Sequence, residues 1–537
     1  MSRIWPRTAA AASLVVAGAG AAVVVGWPVL RMVSQAIAAV ATTGVVPGLG
    51  RTLAVSLALA VVVTVIGTAV GLALALTART LSRGWRRVLD ATIGGLLLVP
   101  PYVVAAAVVA VGGRGGLLTG ILPDVYGALG MTLAMVVAHL PIPYLTIRMA
   151  WREVDPRLVE MSRVTGARAA EVIRLVLLPP LRVPLAVSTA LLVVSALSDP
   201  SIPAVLRGRM PTLAHTAYIE VIAWGGESTA ALIAVLLTLP VLPLLLAMWR
   251  RREAGALVDP WQGHGASPRL VLPRSILVHG CRVLSVLVLA VVLLLMLASA
   301  ATMIRARGSL LTPTMMDVIG STVRYALVAL GLAVPVGLMT AWASDQGGTR
   351  LARGVDLLQT SLLLMPGTTL GIAIFLAYGF ETPTPFGQLP ALVGGASLAS
   401  GSVALVAVFM APAVPMVHLA ARAGQRRAPR ALHETAKVLG AGRRRITLQL
   451  VVPQTGALVA ATAAAVAARN IVSVTPVVFV STPDAPMVAS FALDLLDRAA
   501  LEQTFALTGI VALLVGGASA LVASASVAAL GARARSS

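Results

Sequence analysis

Apolar runs of about twenty residues recur along the whole chain, and short arginine-rich segments separate them. A helix of about 20 apolar residues crosses the roughly 30 Å hydrocarbon layer of a bilayer. The hydrophobic share of 58% and the charged share of 11% are far from those of soluble proteins. The pattern predicts an all-α integral membrane protein with about twelve membrane helices. They are placed at residues 9–30, 52–77, 89–111, 127–149, 183–205, 229–248, 280–303, 320–343, 357–379, 395–420, 455–480 and 505–530.

The two halves of the chain carry matching signals, which indicate an internal duplication. The third predicted helix of each half contains a similar run, Leu96-Leu-Leu-Val-Pro100-Pro101 and Leu362-Leu-Leu-Met-Pro366-Gly367. Six helices per half give a parallel repeat, related by an axis along the membrane normal. We therefore predict one six-helix half at 1–250 and another at 279–537. Residues 251–278, rich in Gly, Pro and Ser, are predicted to be a linker.

The most informative motif is a polar loop that occurs once in each half. Glu160, Gly166 and Pro179 recur as Glu434, Gly440 and Pro453, and all three are displaced by the same 274 positions. A short helix is predicted before each glycine, which would end it in the left-handed conformation. The prolines mark entry into the next apolar helix. We call these segments, residues 160–179 and 434–453, the first and second Glu–Gly–Pro loops.

Both Glu–Gly–Pro loops resemble the EAA loop of ABC importer permeases. The family has Ala-Ala after the glutamate, where this chain has Met161-Ser162 and Thr435-Ala436. The resemblance implies a cytoplasmic helix in each loop that docks into a groove of an ATPase subunit. It assigns polar contacts with the ATPase to Glu160 and Glu434, and close backbone approach to Gly166 and Gly440. It also implies an extracytoplasmic binding protein that delivers the substrate.

Charge sets the predicted orientation in the membrane. The net charge of +21 lies in the loops rather than on one soluble face, so we predict a lipid bilayer and no nucleic acid as partner. With both termini in the cytoplasm, most basic residues and both Glu–Gly–Pro loops fall inside. The resemblance places the protein in a bacterial inner membrane. Residues 9–29 are interpreted as a retained first helix rather than a signal peptide.

The chain lacks the residues of a nucleotide site. A P-loop needs a Gly-Lys-Ser/Thr sequence, yet the only lysine is Lys437, between Ala436 and Val438. We therefore expect a non-catalytic subunit, with ATP hydrolysis in two copies of a separate ATPase. With one cysteine, Cys281, and six scattered histidines, the sequence predicts no metal site and no cofactor.

Several polar or helix-breaking residues fall within predicted membrane helices, where they are energetically costly. Asp199, Arg469 and Asn470 are candidates for lining a translocation path, as is His139. Interhelical hydrogen bonding explains each of them as well. Pro101 and Pro366 are further candidates, because helix breaks free backbone carbonyls that can line a cavity. Kinked packing is the alternative explanation for the two prolines.

Two aspartates open the matching third helices. Asp90 follows Arg86 and Arg87, and Asp356 follows Arg353. The spacing indicates local ion pairs along the helix surface.

Resemblance to fused permeases points to ferric iron as the substrate. The alternatives are 2-aminoethylphosphonate, thiamine, sulfate or a polyamine. A different class, a proton-coupled secondary transporter with twelve helices, is a second hypothesis. Its basic loop motif is mimicked at residues 81–87, but Ser82 stands where the motif has an acid. An intramembrane enzyme finds no support, since no His-Glu-x-x-His or Gly-x-Ser-x-Gly occurs.

Overall fold

A computed structural model describes the greater part of the chain. The described residues are 20–43, 47–121, 123–151, 156–243, 246, 275–305, 312–346, 348–384, 387–394, 401–427, 435–436, 438–442, 449 and 452–536. In the first half, up to residue 250, the α-helices are α1 (Trp27–Thr43), α2 (Leu49–Thr80), α3 (Arg83–Gly95), α4 (Pro101–Gly112), α5 (Ala128–His139), α6 (Pro141–Ala150), α7 (Pro156–Val164), α8 (Ala169–Val172), α9 (Arg182–Ser198), α10 (Ser201–Leu206), α11 (Leu213–Ile219) and α12 (Glu227–Thr238).

The second half has eight described α-helices and one small hairpin. The helices are α13 (Ile276–Arg305), α14 (Pro313–Gln346), α15 (Gly348–Leu363), α16 (Gly367–Tyr378), α17 (Ser402–Arg427), α18 (Val452–Val472), α19 (Val488–Asp497) and α20 (Leu501–Ser536). Strands β1 (Thr382–Thr384) and β2 (Gly387–Leu389) pair antiparallel. The hairpin was not predicted, because its sequence lacks the alternating pattern of a strand.

The predicted multi-pass helical membrane fold is confirmed. The described residues contain eight helices long and apolar enough to cross a bilayer, two bent helix pairs and two shorter apolar helices. Each of these overlaps one of the twelve predicted segments. The first segment was misplaced, because its described helix extends to Thr43 instead of ending at residue 30. Arg31, one residue past the predicted end, lies within this helix, and its guanidinium is 5.9 Å from the centroid of the Trp27 ring.

The third segment of each half is broken at the prolines that the sequence marked as helix breaks. The chain bends by 105° between 83–98 and 101–112, and by 93° between 353–363 and 367–378. Pro100 and Pro366 both adopt extended ψ angles, of 146° and 133°, just before α4 and α16. A proline has no N–H to donate into the preceding turn, and it disfavours helical geometry in the residue before it. Each apolar segment is therefore two helices.

Two predicted helices end earlier than expected. Helix α9 stops at Ser198 rather than 205, because Asp199 is extended and Pro200 follows it. Helix α18 stops at Val472 rather than 480, and a short 3₁₀ turn, Val477–Phe479, follows. Both breaks are buried within the protein. Irregular backbone at this depth is tolerated where protein surrounds it or where it lines a cavity.

Equivalent three-helix groups form the centre of each half. Helix α2 packs against α6 and α9, and α14 packs against α17 and α18. The hydroxyl of Ser56 accepts a hydrogen bond from the Leu213 N–H at 2.8 Å, and the hydroxyl of Thr322 accepts one from the Val488 N–H at 2.9 Å. In each half, a buried hydroxyl on the long helix thus holds the start of a short helix, α11 or α19.

The first long helix of each half packs against the other half. Helix α1 contacts α16 as well as α12, and α13 contacts α2 and α4 as well as α20. The Ser285 hydroxyl on α13 donates to the Thr77 hydroxyl on α2 at 2.8 Å. Since these crossed contacts bury apolar side chains from both halves, the two halves share one core.

Candidate functional site

The first Glu–Gly–Pro loop forms the predicted helix and stop. Helix α7 carries Glu160, which is exposed, and the chain then reverses at Gly166 with a φ of +78°. The N–H of Thr165 donates to the Met161 carbonyl at 3.0 Å, and that of Ala167 donates to the Ser162 carbonyl at 2.9 Å. These bonds and the left-handed glycine form a helix C-cap. No described residue lies within 4 Å of the position that a Cβ on Gly166 would occupy.

The second Glu–Gly–Pro loop repeats this geometry 274 positions later. Gly440 has a φ of +77°, and among the described residues none comes within 4 Å of the Cβ position. The N–H of Leu439 donates to Thr435, and that of Ala441 donates to Ala436, both at 2.9 Å. Glu434 lies outside the described residues. Because only glycine adopts this conformation without strain, both loops need glycine at the turn.

Both loops leave apolar side chains uncovered. On α7, Met161 is 66% and Val164 is 89% exposed; in the second loop, Val438 is 86% and Leu439 is 79% exposed. Met161 and Val164 are three residues apart and lie on one helix face. Exposed apolar patches beside polar groups mark interaction surfaces. Trp151 fixes the base of the first loop, because its buried indole N–H donates to the Leu177 carbonyl at 2.9 Å.

The predicted path residue Asp199 lies between the two halves. Its Oδ1 accepts hydrogen bonds from the Ser201 N–H at 2.8 Å and the Ser201 hydroxyl at 2.6 Å. Its Oδ2 is 4.0 Å from Nε2 of His139, and both side chains are buried. The preceding carbonyl, of Ser198, accepts a hydrogen bond from the Thr368 hydroxyl in the second half. The break after α9 is therefore held from both halves.

Arg469 lies next to Asn470 on α18, and its side chain is exposed. Its charge acts on His139, which places it near the His139–Asp199 pair. Among the described residues, no carboxylate lies within ion-pair distance of its guanidinium. An exposed guanidinium on an apolar helix can be contacted by water or by a ligand.

The other predicted path residues occupy different settings. Asn470 is buried, and its Nδ2 donates to the Phe409 carbonyl on α17 at 3.4 Å, so it joins two helices. Pro366 is buried and Pro101 is half-buried, and each stands at the start of a helix after the bend. Within the described ranges, no three metal-ligating side chains lie together.

Sequence reasoning missed the distant partners of Asp90 and Asp356. Asp90 contacts Tyr144 and Arg148, and Asp356 contacts His418 and Arg422. The signal was present, because Tyr144 and Arg148 recur as His418 and Arg422 at the same displacement of 274 that relates the loops. The arginines that lie close in sequence, Arg86, Arg87 and Arg353, predicted local ion pairs instead.

No model of a known protein family matches the chain. It is 28% identical over 134 residues to the ferric transport system permease protein FbpB of Actinobacillus pleuropneumoniae, which is 23% of this chain and 20% of that protein. A ferric transport system permease protein of Haemophilus influenzae matches over 134 residues at the same identity, or 21% of its length. The chain thus spans about a fifth of the length of these two relatives.

A second kind of permease is matched over more of its length. The chain is 27% identical over 178 residues to the molybdenum transport system permease protein ModB of Escherichia coli K12, which is 31% of this chain and 78% of that protein. These relatives confirm the predicted similarity to the permease subunits of ABC importers.

Proposed function

We propose that this chain is the membrane-spanning permease subunit of an ATP-driven ABC importer, with permease halves at 1–250 and 279–537 joined by a cytoplasmic linker. The observation that carries the proposal is the pair of Glu–Gly–Pro loops, which repeat one backbone geometry and one exposed valine, Val164 and Val438. Similarity to importer permeases supports it. The equivalent Ser56 and Thr322 bonds support the division into two halves.

The proposed partners follow from what the chain lacks. A sequence whose only lysine is Lys437 has no P-loop, so two separate ATPase subunits would dock, one at each Glu–Gly–Pro loop. An extracytoplasmic binding protein would deliver substrate at the opposite side. Excess basic charge in the loop segments supports an inner-membrane orientation with both termini in the cytoplasm.

In the proposed mechanism, ATP-driven closure of the two ATPase subunits draws the Glu–Gly–Pro loops together. Glu160 and Glu434 provide polar contacts, while Gly166 and Gly440 allow the ATPase to approach the backbone. Rigid helices transmit the motion to the centre, where the path past Asp199 opens alternately to each side. This is a two-state coupling between distant sites.

Leucine substitution at the two loop glycines tests the docking role. The double variant Gly166→Leu and Gly440→Leu is expected to lower association with the cognate ATPase and ATP-dependent uptake at least tenfold. The control is Gly48→Leu, because Gly48 has the same left-handed φ, +81°, and equally open surroundings away from both loops. Pull-down with the ATPase and uptake in membrane vesicles measure the effect.

Three outcomes separate the hypotheses. Full docking and uptake in the double variant would contradict the assigned role of the loops. An equal loss in Gly48→Leu would point to backbone strain instead. Uptake that persists without ATP but stops when the proton gradient is abolished would support the secondary transporter.

For the substrate, the relatives leave ferric iron and molybdate as leading candidates, and the charge of Arg469 favours an anion. Arg469 presents an exposed cation near the His139–Asp199 pair, and no carboxylate in the described chain lies within ion-pair distance of it. An oxyanion such as molybdate, or ferric iron as an anionic chelate, would gain from this charge, whereas free Fe³⁺ would be repelled. 2-Aminoethylphosphonate and sulfate also carry negative charge; thiamine and polyamines do not.

Uptake of ⁹⁹Mo-molybdate and ⁵⁵Fe-citrate into vesicles holding the assembled transporter tests the substrate class. Arg469→Gln is expected to reduce uptake of the anionic cargo at least tenfold, and Arg469→Lys to retain most of it. Unchanged uptake in Arg469→Gln would remove the anion assignment. Faster uptake of uncomplexed iron in that variant would favour the ferric cation.

A further inference from the structure

A half-buried carboxylate in the first half, that of Asp90, connects two distant helices. The Tyr144 hydroxyl donates to Oδ1 of Asp90 at 2.5 Å, and Nε of Arg148 lies 3.3 Å from the same oxygen. Tyr144 and Arg148 are fully or almost fully buried and stand one helical turn apart on α6. Asp90 is on α3, the segment before the bend at Pro100. The contact therefore ties α6 to the near arm of the broken helix.

The second half contains the same arrangement with one change of chemistry. Nε2 of His418 lies 2.9 Å from Oδ1 of Asp356, and Nε of Arg422 lies 3.2 Å from it. Nδ1 of His418 is 2.9 Å from the Thr340 hydroxyl. His418 thus takes the place of Tyr144, because an imidazole and a phenol can each present a donor to the carboxylate. We call Asp90–Tyr144–Arg148 and Asp356–His418–Arg422 the carboxylate triads.

A glycine on the long helix of each half packs directly behind the triads. A Cβ on Gly71 would lie 3.1 Å from the backbone nitrogen of Tyr144. A Cβ on Gly337 would lie 3.1 Å from the backbone nitrogen of His418. This close approach leaves little room for α6 or α17 to slide past α2 or α14. The triad helices are therefore held from two sides, by packing and by charge.

The positions of the triads along the chain link the proposed docking loops to the centre. Arg148 stands twelve residues before Glu160, and Arg422 stands twelve before Glu434. On the other side, Asp90 stands eleven residues before Pro101, and Asp356 eleven before Gly367. Each triad therefore joins the helix that leads into a Glu–Gly–Pro loop with the helix that leads into a central bend.

We propose that the two carboxylate triads are positioning networks that make each broken helix move together with its Glu–Gly–Pro loop. The proposal rests on the importer function proposed above. The Arg148 guanidinium and the Asp356 carboxylate are buried. A buried charge that loses its partner is left uncompensated in a low-dielectric environment, so separation of the two helices is disfavoured. The triads thereby transmit displacement of the loop to the bend of the broken helix.

Distances in the assembled transporter test this link without knowledge of the substrate. Cys281 is first replaced by serine, and spin labels are attached at V164C and V438C, one in each loop. A second sample carries labels at W224C and R498C, beyond α11 and α19. Val164, Val438 and Trp224 are 89%, 86% and 71% exposed, and the Arg498 side chain is 72% exposed. Electron spin resonance then reports how far each pair moves when ATP binds to the docked ATPase.

Tyr144→Phe removes one hydroxyl and keeps the ring, and His418→Phe removes the imidazole donor. Each is expected to preserve movement of the loop pair while reducing movement of the distant pair about fivefold or more. The exchanges Tyr144→His and His418→Tyr, each copied from the other half, should keep the distant movement within about twofold of the unmodified protein. If the triads had only a structural role, each phenylalanine variant would reduce the movements of the loop pair and the distant pair together. The exchange variants would then behave like the phenylalanine variants.

The outcomes also separate this inference from the proposed function. If the loop pair of the unmodified protein does not respond to ATP, the importer function fails and the inference fails with it. If the loop pair responds and both phenylalanine variants move the distant pair normally, only the triad inference is overturned. If Tyr144→Phe or His418→Phe is too unstable to purify, the exchange variant at the same position, Tyr144→His or His418→Tyr, is measured instead. Reduced movement of the distant label pair in that variant overturns the triad inference.

Discussion

Adding one methyl group at Gly71 tests how closely the long helix α2 packs against α6. A Cβ at this position would lie 2.8 Å from both Cβ and Cγ of Pro143, whereas ordinary contacts are 3.4–4 Å. The proline ring is rigid and cannot rotate away, so the helices must separate by at least about half an ångström. The control is Gly67, one turn earlier, where a Cβ would meet only Leu192 at 3.5 Å.

The expected magnitude follows from comparing the two alanine variants. Replacing glycine by alanine within a helix favours folding by up to about 1 kcal/mol at either site. Overpacking at Gly71 costs about 1–3 kcal/mol, and the Gly67 site carries no such clash. The gain in helix propensity is the same at both sites and cancels when the two variants are compared. Gly71→Ala should therefore be about 1–3 kcal/mol less stable than Gly67→Ala.

Thermal unfolding of the purified protein in detergent measures this difference, with both variants at equal concentration. The second half provides a replicate, because a Cβ at Gly337 would lie 2.8 Å from Cβ of Val417, while Gly331 has nothing within 4 Å. We expect Gly337→Ala to unfold several degrees below Gly331→Ala. If either clashing variant is as stable as its control, the argument from close helix approach is refuted.

Three further changes follow from buried polar contacts. Ser56→Ala leaves the Leu213 N–H unpaired and should cost about 1–3 kcal/mol in chemical unfolding, whereas Ser56→Thr should be milder. Trp151→Phe removes the bond to the Leu177 carbonyl; we expect a similar loss and faster protease cleavage in the first Glu–Gly–Pro loop. Burial lowers the pKa of His215 to about 4. The unfolded chain therefore binds more protons between about pH 6.5 and 4, so stability should fall as pH falls through this window, by on the order of 1–3 kcal/mol. His215→Gln should flatten that fall; an unchanged pH profile would contradict the assignment.

Much of the fold could be predicted because bilayer thickness fixes the length of an apolar helix. The turns of the two Glu–Gly–Pro loops could also be predicted, because a left-handed backbone conformation favours glycine. Both Gly166 and Gly440 adopt this conformation. The breaks before Pro101 and Gly367 were visible as prolines. Their angles of 105° and 93° were not, because a proline removes a hydrogen bond without specifying the direction of the next helix.

The sequence by itself determined the membrane class, the duplication and the two loops, because each of these depends on local composition or spacing. Only the tertiary structure decided which groups meet. Asp90 had nearby arginines and Asp356 had one as well, yet their carboxylates contact Tyr144 and His418, which lie 54 and 62 residues away. A charge can be satisfied by any partner within reach, and helix packing alone determines which partners are within reach.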